Sequence, residues 1–413
     1  MRQAHPWFVV SVMALVLAAL CGCGGGTQKV LYAVAPGSSS VSIFTVSSSG
    51  TLSVTTDSVT TGSGPVAIAI DPLRRFAYIL DSAGGIVPGG VSQYTLNAGS
   101  GVLTVATLPA GNGTIPPSVP APTGVNPTAI AIDSTGNFVF VANHGSTGTA
   151  CDNSAPALNC TLSVFTIDAT GGALTEVKQL QPPCTPSQPA PCPLPTFPLA
   201  PNALATTGKM LFVAMTDTSA GVGSIATYMF TPAPAGQSST TVVTCPGGPG
   251  CLQTPPAFTI AAGTNPTAMV MDSSGKFLFV SDPIANTVAT FSIASSGQLT
   301  AVGSPVPTGT MPVSLCLDAG GKFLYTANQG SNDVSGFSIQ SSGALTPLSG
   351  LPVAAGTSPS AVTTDSAGNF LFVANRDSNT ISVFSIDSSG ALKQVGTPFP
   401  SVVIGPVALA SIN

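Results

Sequence analysis

The sequence predicts an all-β ring of seven four-stranded antiparallel blades, a seven-bladed β-propeller, on three observations. A central aromatic inside one apolar strand recurs seven times, at Tyr32, Tyr78, Phe140, Phe212, Phe279, Tyr325 and Phe372. A proline-opened strand rich in small residues also recurs seven times, from Pro65, Pro127, Pro201, Pro266, Pro312, Pro359 and Pro406. The chain begins on one of these strand types and ends on the other, so its two ends complement each other.

The first 22 residues read as an export leader rather than as fold. Arg2 supplies a positive start, and Trp7 to Leu20 is a mainly apolar run of signal-peptide length. Leu20-Cys21-Gly22-Cys23 has the form of a bacterial lipoprotein signal, with Cys23 as the lipidated residue; the bulk of Leu20 disfavours Cys21. Ordinary secretion with cleavage nearby is the alternative. Residues 23–28 then form the lipid attachment and a short glycine tether, and 29–413 a single propeller domain. These features predict a protein of the bacterial cell envelope, on the periplasmic or cell-surface side, membrane-held through Cys23; a monomer is expected.

Within the domain, runs of Val, Ile, Phe, Leu and Ala five to seven residues long are bounded by Gly, Asn, Asp, Ser and Pro, the mark of strands. Their incomplete alternation fits blades covered on both faces. The turn Asp133-Ser134-Thr135-Gly136 has copies at 272–275, 318–321 and 365–368, with the acid opening a hairpin and glycine in the left-handed position. These aspartates read as turn residues rather than as a ring of ligands. The strand order from the channel outward is the proline element, then Phe-Leu-Phe-Val, then Val-Ser-Val-Phe-Ser-Ile, then the segment after Gly-x-Leu-Thr. The C-terminal strand from Val407 should therefore complete the blade begun by Val30 to Val34, leaving no free edge at the seam.

Composition narrows the function classes. Only 6% of residues are charged, 44% are hydrophobic, and the formal charge is −5. No basic stripe exists of the kind that binds nucleic acid. Beyond the leader, Cys151, Cys160, Cys184, Cys192, Cys245 and Cys251 fall as close pairs in Pro/Gly-rich insertions, which in an oxidising compartment reads as three local disulfides, although six cysteines allow fifteen connectivities. No histidine accompanies the proline-rich clusters and no CxxC occurs, which argues against metal; neither metal nor cofactor is expected. Cys316, alone in an apolar strand, reads as a buried free thiol.

The element Phe-Val-Ala-Asn at 140–143 and 372–375, with Tyr-Thr-Ala-Asn at 325–328, resembles the YVTN-type propeller repeat. The pattern over nearly all of the mature chain resembles the seven-bladed β-propeller lactonases, among them bacterial 6-phosphogluconolactonases and fungal carboxymuconate cyclases. The resemblance implies a sugar-lactone hydrolase with histidine, arginine and glutamate in the channel cleft and Pro-Arg-His-like starts to innermost strands. This chain has Asn126-Pro127-Thr128, Asn265-Pro266-Thr267 and Met311-Pro312-Val313 there, and its one glutamate, Glu176, lies on an outermost strand.

Insertions concentrate between second and third strands and before innermost strands, on one face and on consecutive blades, where ordered loops usually carry function. The residues ending the second strands form a polar rim there: Asp81, Asn143, Asp282, Asn328 and Asn375, with Asp217 and Asp377 close by. These groups can hydrogen-bond a glycan or peptide, or simply cap strand ends. Two functional readings follow. One is a non-catalytic binding module for a protein or glycan. The other is a divergent lactone hydrolase with His144 as general base and Arg376 holding the anion, oriented by Asp81, Asp282 or Asp377. A purely structural envelope component is the residual reading.

Overall fold

The structure, a computed structural model, describes residues 28–55, 58–84, 87–106, 120–145, 161–177, 199–217, 220–232, 251–253, 256–401 and 403–412. Cys23 and the leader lie outside them, as do Cys151, Cys160, Cys184, Cys192 and Cys245.

Seven antiparallel sheets make the blades. Blade 1 runs from the channel outward as Ala408–Ile412, Val30–Ala35, Ser40–Val46 and Leu52–Val54. Blades 2 to 7 repeat that order with innermost strands Pro65–Ile70, Pro127–Ile132, Ala200–Thr206, Ala268–Met271, Pro312–Leu317 and Pro359–Thr364. The C-terminal strand pairs antiparallel with the first one, Tyr32 opposite Ala410, so the ring closes as expected. In five blades the outermost strand is broken in two, its second piece pairing further along the third strand, as Val306–Pro307 does in blade 5.

The core lies between blades, not within one centre. All seven repeated aromatics are fully buried, each second strand being covered on both sides by a neighbouring blade. The tight turns collect on one side of the ring, here the turn face. There each opening aspartate accepts backbone N–H groups of its own hairpin, as Asp133 Oδ1 does from Asn137 (2.8 Å) and Phe138 (2.7 Å). Gly136, Gly275, Gly321 and Gly368 sit at φ between 64° and 70°, as the turn requires. The glycine of Gly-x-Leu-Thr has a further reason to be glycine. A Cβ on Gly172 would stand 2.4 Å from the Phe76 ring of the preceding blade, and the Tyr78 hydroxyl donates to the Gly172 carbonyl at 2.9 Å.

Connections between second and third strands, and those entering innermost strands, collect on the opposite side, the loop face. Cys251 is buried and is not a free thiol; Cys316 is the free, buried cysteine among the described residues.

Candidate functional site

The channel is a cavity of about 630 Å³ walled by the innermost strands of all seven blades. Small residues such as Ala67, Ala129, Ala203, Ala268 and Ala361 let seven strands approach one axis. Near the loop face the residue after the repeated proline enters the wall: Thr128, Asn202, Thr267 and Ser360 among them. Several join one blade to the next. Thr128 Oγ1 donates to the Pro201 carbonyl at 3.0 Å, Asn202 Nδ2 to that of Pro266 at 3.1 Å, and Ser360 Oγ to that of Pro406 at 2.7 Å. Ser273, Ser314, Thr363 and Thr364 add further hydroxyls to a wall that is otherwise largely apolar, and its ionisable groups among the described residues are Asp318, at the turn-face end, and the Cys316 thiol, whose pKa burial pushes up.

The strand-end residues expected to form a rim do lie on the loop face, but their side chains point into the protein. Asn143, Asn328 and Asn375 are fully buried, Asp81 is 1% exposed and Asp282 5%. In three blades the amide donates to a serine two residues into the third strand: Asn143 to Ser163 (3.0 Å), Asn328 to Ser335 (2.8 Å) and Asn375 to Ser382 (2.9 Å). Blade 2 reverses the polarity, with Ser92 Oγ donating to Asp81 Oδ2 at 2.6 Å. The chain entering the innermost strand crosses over these groups at a glycine. A Cβ at Gly62 would meet Asp81, at Gly124 Asn143, at Gly309 Asn328 and at Gly356 Asn375, all under 3.0 Å. The strand-end groups thus tie each blade to the connection lying over it.

Blade 5 departs from this pattern. Ala289 replaces the serine, and Asp282 instead accepts from Thr264 Oγ1 and from the backbone of Asn265, Ile284 and Ala285. Burial pushes the Asp282 pKa up, but these hydrogen bonds outweigh it and hold the carboxyl below its ordinary range. An apolar pocket of about 410 Å³ beside Ala261, Ala285, Ala289 and Phe291 marks the missing serine.

Asp81 has the opposite balance. Burial pushes its pKa up to about 6 against the hydrogen bond from Ser92, and its Oδ1 finds no partner among the described residues. His144, half-buried at the end of the second strand of blade 3, has its pKa lowered by burial, which keeps the imidazole neutral at pH 7. Its backbone N–H is bonded to the Asn126 carbonyl at 2.9 Å. Arg376 is exposed on blade 7 and paired with Asp377 at 2.8 Å; this arginine, with Ser358, holds the Asp377 pKa low. Asp217 is half-buried and accepts the Ala220 N–H at 3.0 Å. Blades 3 and 7 are as far apart around the ring as seven blades allow, so His144 and Arg376 are not brought together. Asp81 and His144 belong to adjacent blades. Among the described residues no three His, Cys, Asp or Glu side chains gather as metal ligands would.

The description of the matching family model is "Lactonase, 7-bladed beta-propeller", and it covers residues 26–182, 250–356 and 352–405. The chain belongs to that family. Among solved structures, the periplasmic gluconolactonase PpgL of Pseudomonas aeruginosa superposes with a TM-score of 0.66 at 18% identity, covering 94% of this chain and 99% of the other. A candidate 6-phosphogluconolactonase from Bacteroides fragilis gives 0.67 at 20%, covering 94% and 98%. A protein from Lactobacillus plantarum gives 0.66 at 17%, covering 94% and 100%. At these identities the superpositions establish the shared fold. A search of curated proteins finds no match.

Sequence reasoning missed the serine of the third strand and the glycine three residues before the repeated proline. Both were visible as repeats, in Val-Ser-x-Phe and Gly-x-x-Pro, but their partner lies across a connection of variable length.

Proposed function

We propose that the protein hydrolyses an uncharged sugar lactone at the loop-face mouth of the channel, as a lipoprotein anchored through Cys23 in the bacterial cell envelope. Membership of the lactonase family over most of the chain carries this reading. The channel wall narrows the substrate. It offers hydroxyl and amide groups at Thr128, Asn202, Thr267 and Ser360 for sugar hydroxyls and, among the described residues, no lysine or arginine for a phosphate. His144, neutral at pH 7, is the proposed base. It takes the proton of a water whose oxygen bonds to the lactone carbonyl carbon. The ring C–O bond then breaks and the ring oxygen takes up a proton, giving the hydroxy acid.

The test is proton release from δ-gluconolactone and from its 6-phosphate by purified full-length protein, beside a buffer blank. Saturable turnover of the unphosphorylated lactone, lost in His144→Ala, is the expected result. Turnover at the blank rate for both would sink the hydrolase reading. A channel wall with no histidine, lysine, arginine or glutamate among the described residues favours the second reading, a module that retains a neutral glycan without turning it over.

A further inference from the structure

The two faces of the ring differ in charge in a way the lactonase reading does not use. The residue immediately before the second strand is basic in five blades, as Lys29, Arg75, Lys209, Lys276 and Lys322, and asparagine in the other two. All five lie on the turn face: Arg75, Lys276 and Lys322 follow the aspartate of their own hairpin, Lys29 meets Asp365 of blade 7, and Lys209 follows a hairpin that has no aspartate. Those carboxylates are folded into their own turns: Asp71, Asp133 and Asp365 are no more than 2% exposed, and Asp272 and Asp318 are half-buried. The ammonium groups of Lys209, Lys276 and Lys322 stand outward. Asp387 is the exposed carboxylate of that face among the described residues. On the loop face the basic side chain among the described residues is Arg376, already paired with Asp377.

The chain also enters the ring on the turn face. Lys29 is held there by Asp365 at 2.6 Å, in the inner hairpin of blade 7, and lies over the Phe370 ring. From Cys23 to Lys29 the backbone reaches at most about 20 Å when fully extended. A six-residue second strand is itself about 20 Å long, so a tether of that length cannot carry an anchor past the blade to the loop face.

We infer that the turn face lies against an anionic lipid surface, with Lys209, Lys276 and Lys322 among the headgroups, Leu73 (61% exposed) at the interface, and the loop face turned away. The inference rests on anchoring through Cys23 and is independent of whether the protein hydrolyses lactones. It leaves the channel mouth and the inserted loops open to the side remote from the membrane.

The protein's one tryptophan, Trp7, lies in the leader, so a tryptophan placed in the ring reports alone once the parent's emission is subtracted. Leu73→Trp and Ile284→Trp occupy exposed sites, the second on the loop face with Ile284 at 65% exposure. Each full-length variant, made in a lipidating bacterial host, is reconstituted on phosphatidylglycerol-containing vesicles bearing a headgroup nitroxide and checked by flotation. Leu73→Trp should lose most of its emission and Ile284→Trp should keep it. Quenching at Ile284→Trp, or at neither site in protein that floats, overturns the orientation. Protein that does not float, or that floats equally as Cys23→Ser, refutes the anchor and the proposal with it.

Discussion

Blades 5, 6 and 7, with the seam onto blade 1, and blades 2, 3 and 4 solve the same closure problem differently. In the first group the connection after the second strand is short and ends in an asparagine at positive φ, Asn286, Asn332 or Asn379. Each accepts the backbone N–H of the residue entering the next innermost strand: Met311 at 2.8 Å, Ser358 at 2.8 Å and Gly405 at 2.7 Å. Blade follows blade through one repeated staple. In the second group the residue before the third strand is not asparagine but Val87, Cys160 or Gly221. Buried polar atoms without a partner among the described residues occur there, at Asp81 Oδ1, Asn143 Oδ1 and Ser224 Oγ. Buried acceptors are normally satisfied, and exceptions concentrate where a protein does something besides fold. The regular sector is the scaffold, and the elaborated sector is where the proposed site would lie.

The largest expected effect breaks the scaffold. Deleting Val407 to Asn413 removes the innermost strand of blade 1 and leaves Val30–Ala35, now entirely buried, as a free apolar edge. Aggregation, or loss of the cooperative unfolding transition in calorimetry, is expected; an unchanged melting temperature would contradict closure by this strand.

Next comes the contrast between two glycines. Gly356→Ala in the regular sector puts a methyl 2.6 Å from Asn375 Cγ, and should cost about 1–3 kcal/mol by overpacking. Gly221→Ala, on blade 4 at φ 64° with nothing within 4 Å, meets only the left-handed backbone penalty of about 1 kcal/mol. Urea titration of both separates them, and equal costs would mean that the glycine crossing is not a close-packed contact.

What could be read from the chain divides along the same line. Blade number, strand order, closure and the hairpin aspartates were legible because each is a local pattern repeated at intervals of 46 or 47 residues where no insertion intervenes, as from Phe279 to Tyr325 and from Tyr325 to Phe372. The direction of the strand-end side chains was not. Asn143, Asn328 and Asn375 occupy the loop face as expected, yet whether such an amide meets solvent or a serine depends on what crosses over it. The broken outermost strands escaped notice because two-residue pieces such as Val353–Ala354 carry no periodicity. The separation of His144 from Arg376 was implicit in their blade numbers, since blades 3 and 7 cannot be neighbours in a ring of seven.

A third prediction concerns Asp81, where the elaborated sector carries an acid in place of asparagine. Its folded pKa of about 6 lies above the ordinary carboxylate value of about 3.9. The folded chain therefore holds its proton while the unfolded chain releases it. The stabilisation from the neutral acid is complete below about pH 4 and is lost as pH rises to about 6, up to about 3 kcal/mol, with a flat profile above. Asp81→Asn should flatten the pH 4–6 fall and be the more stable protein at pH 8 in urea denaturation. An unaltered pH profile would mean that Asp81 is solvated in the folded state.

The smallest effect belongs to Arg376. Its ion pair with Asp377 joins adjacent residues, both close to half-exposed, so water and salt screen it and ordering two side chains offsets the attraction. Arg376→Ala should leave the melting temperature within measurement scatter at physiological salt. The pH profile is the finer probe. Asp377 is held below its ordinary pKa by Arg376 and by Ser358, so whatever stability the pair contributes is present at neutral pH and lost as pH falls through the folded pKa. The variant should differ from the parent only above that point, and only at low ionic strength. A melting-temperature loss that persists in high salt would mean that Arg376 packs against the Gly405 turn, through its aliphatic stem, as part of the closure onto blade 1.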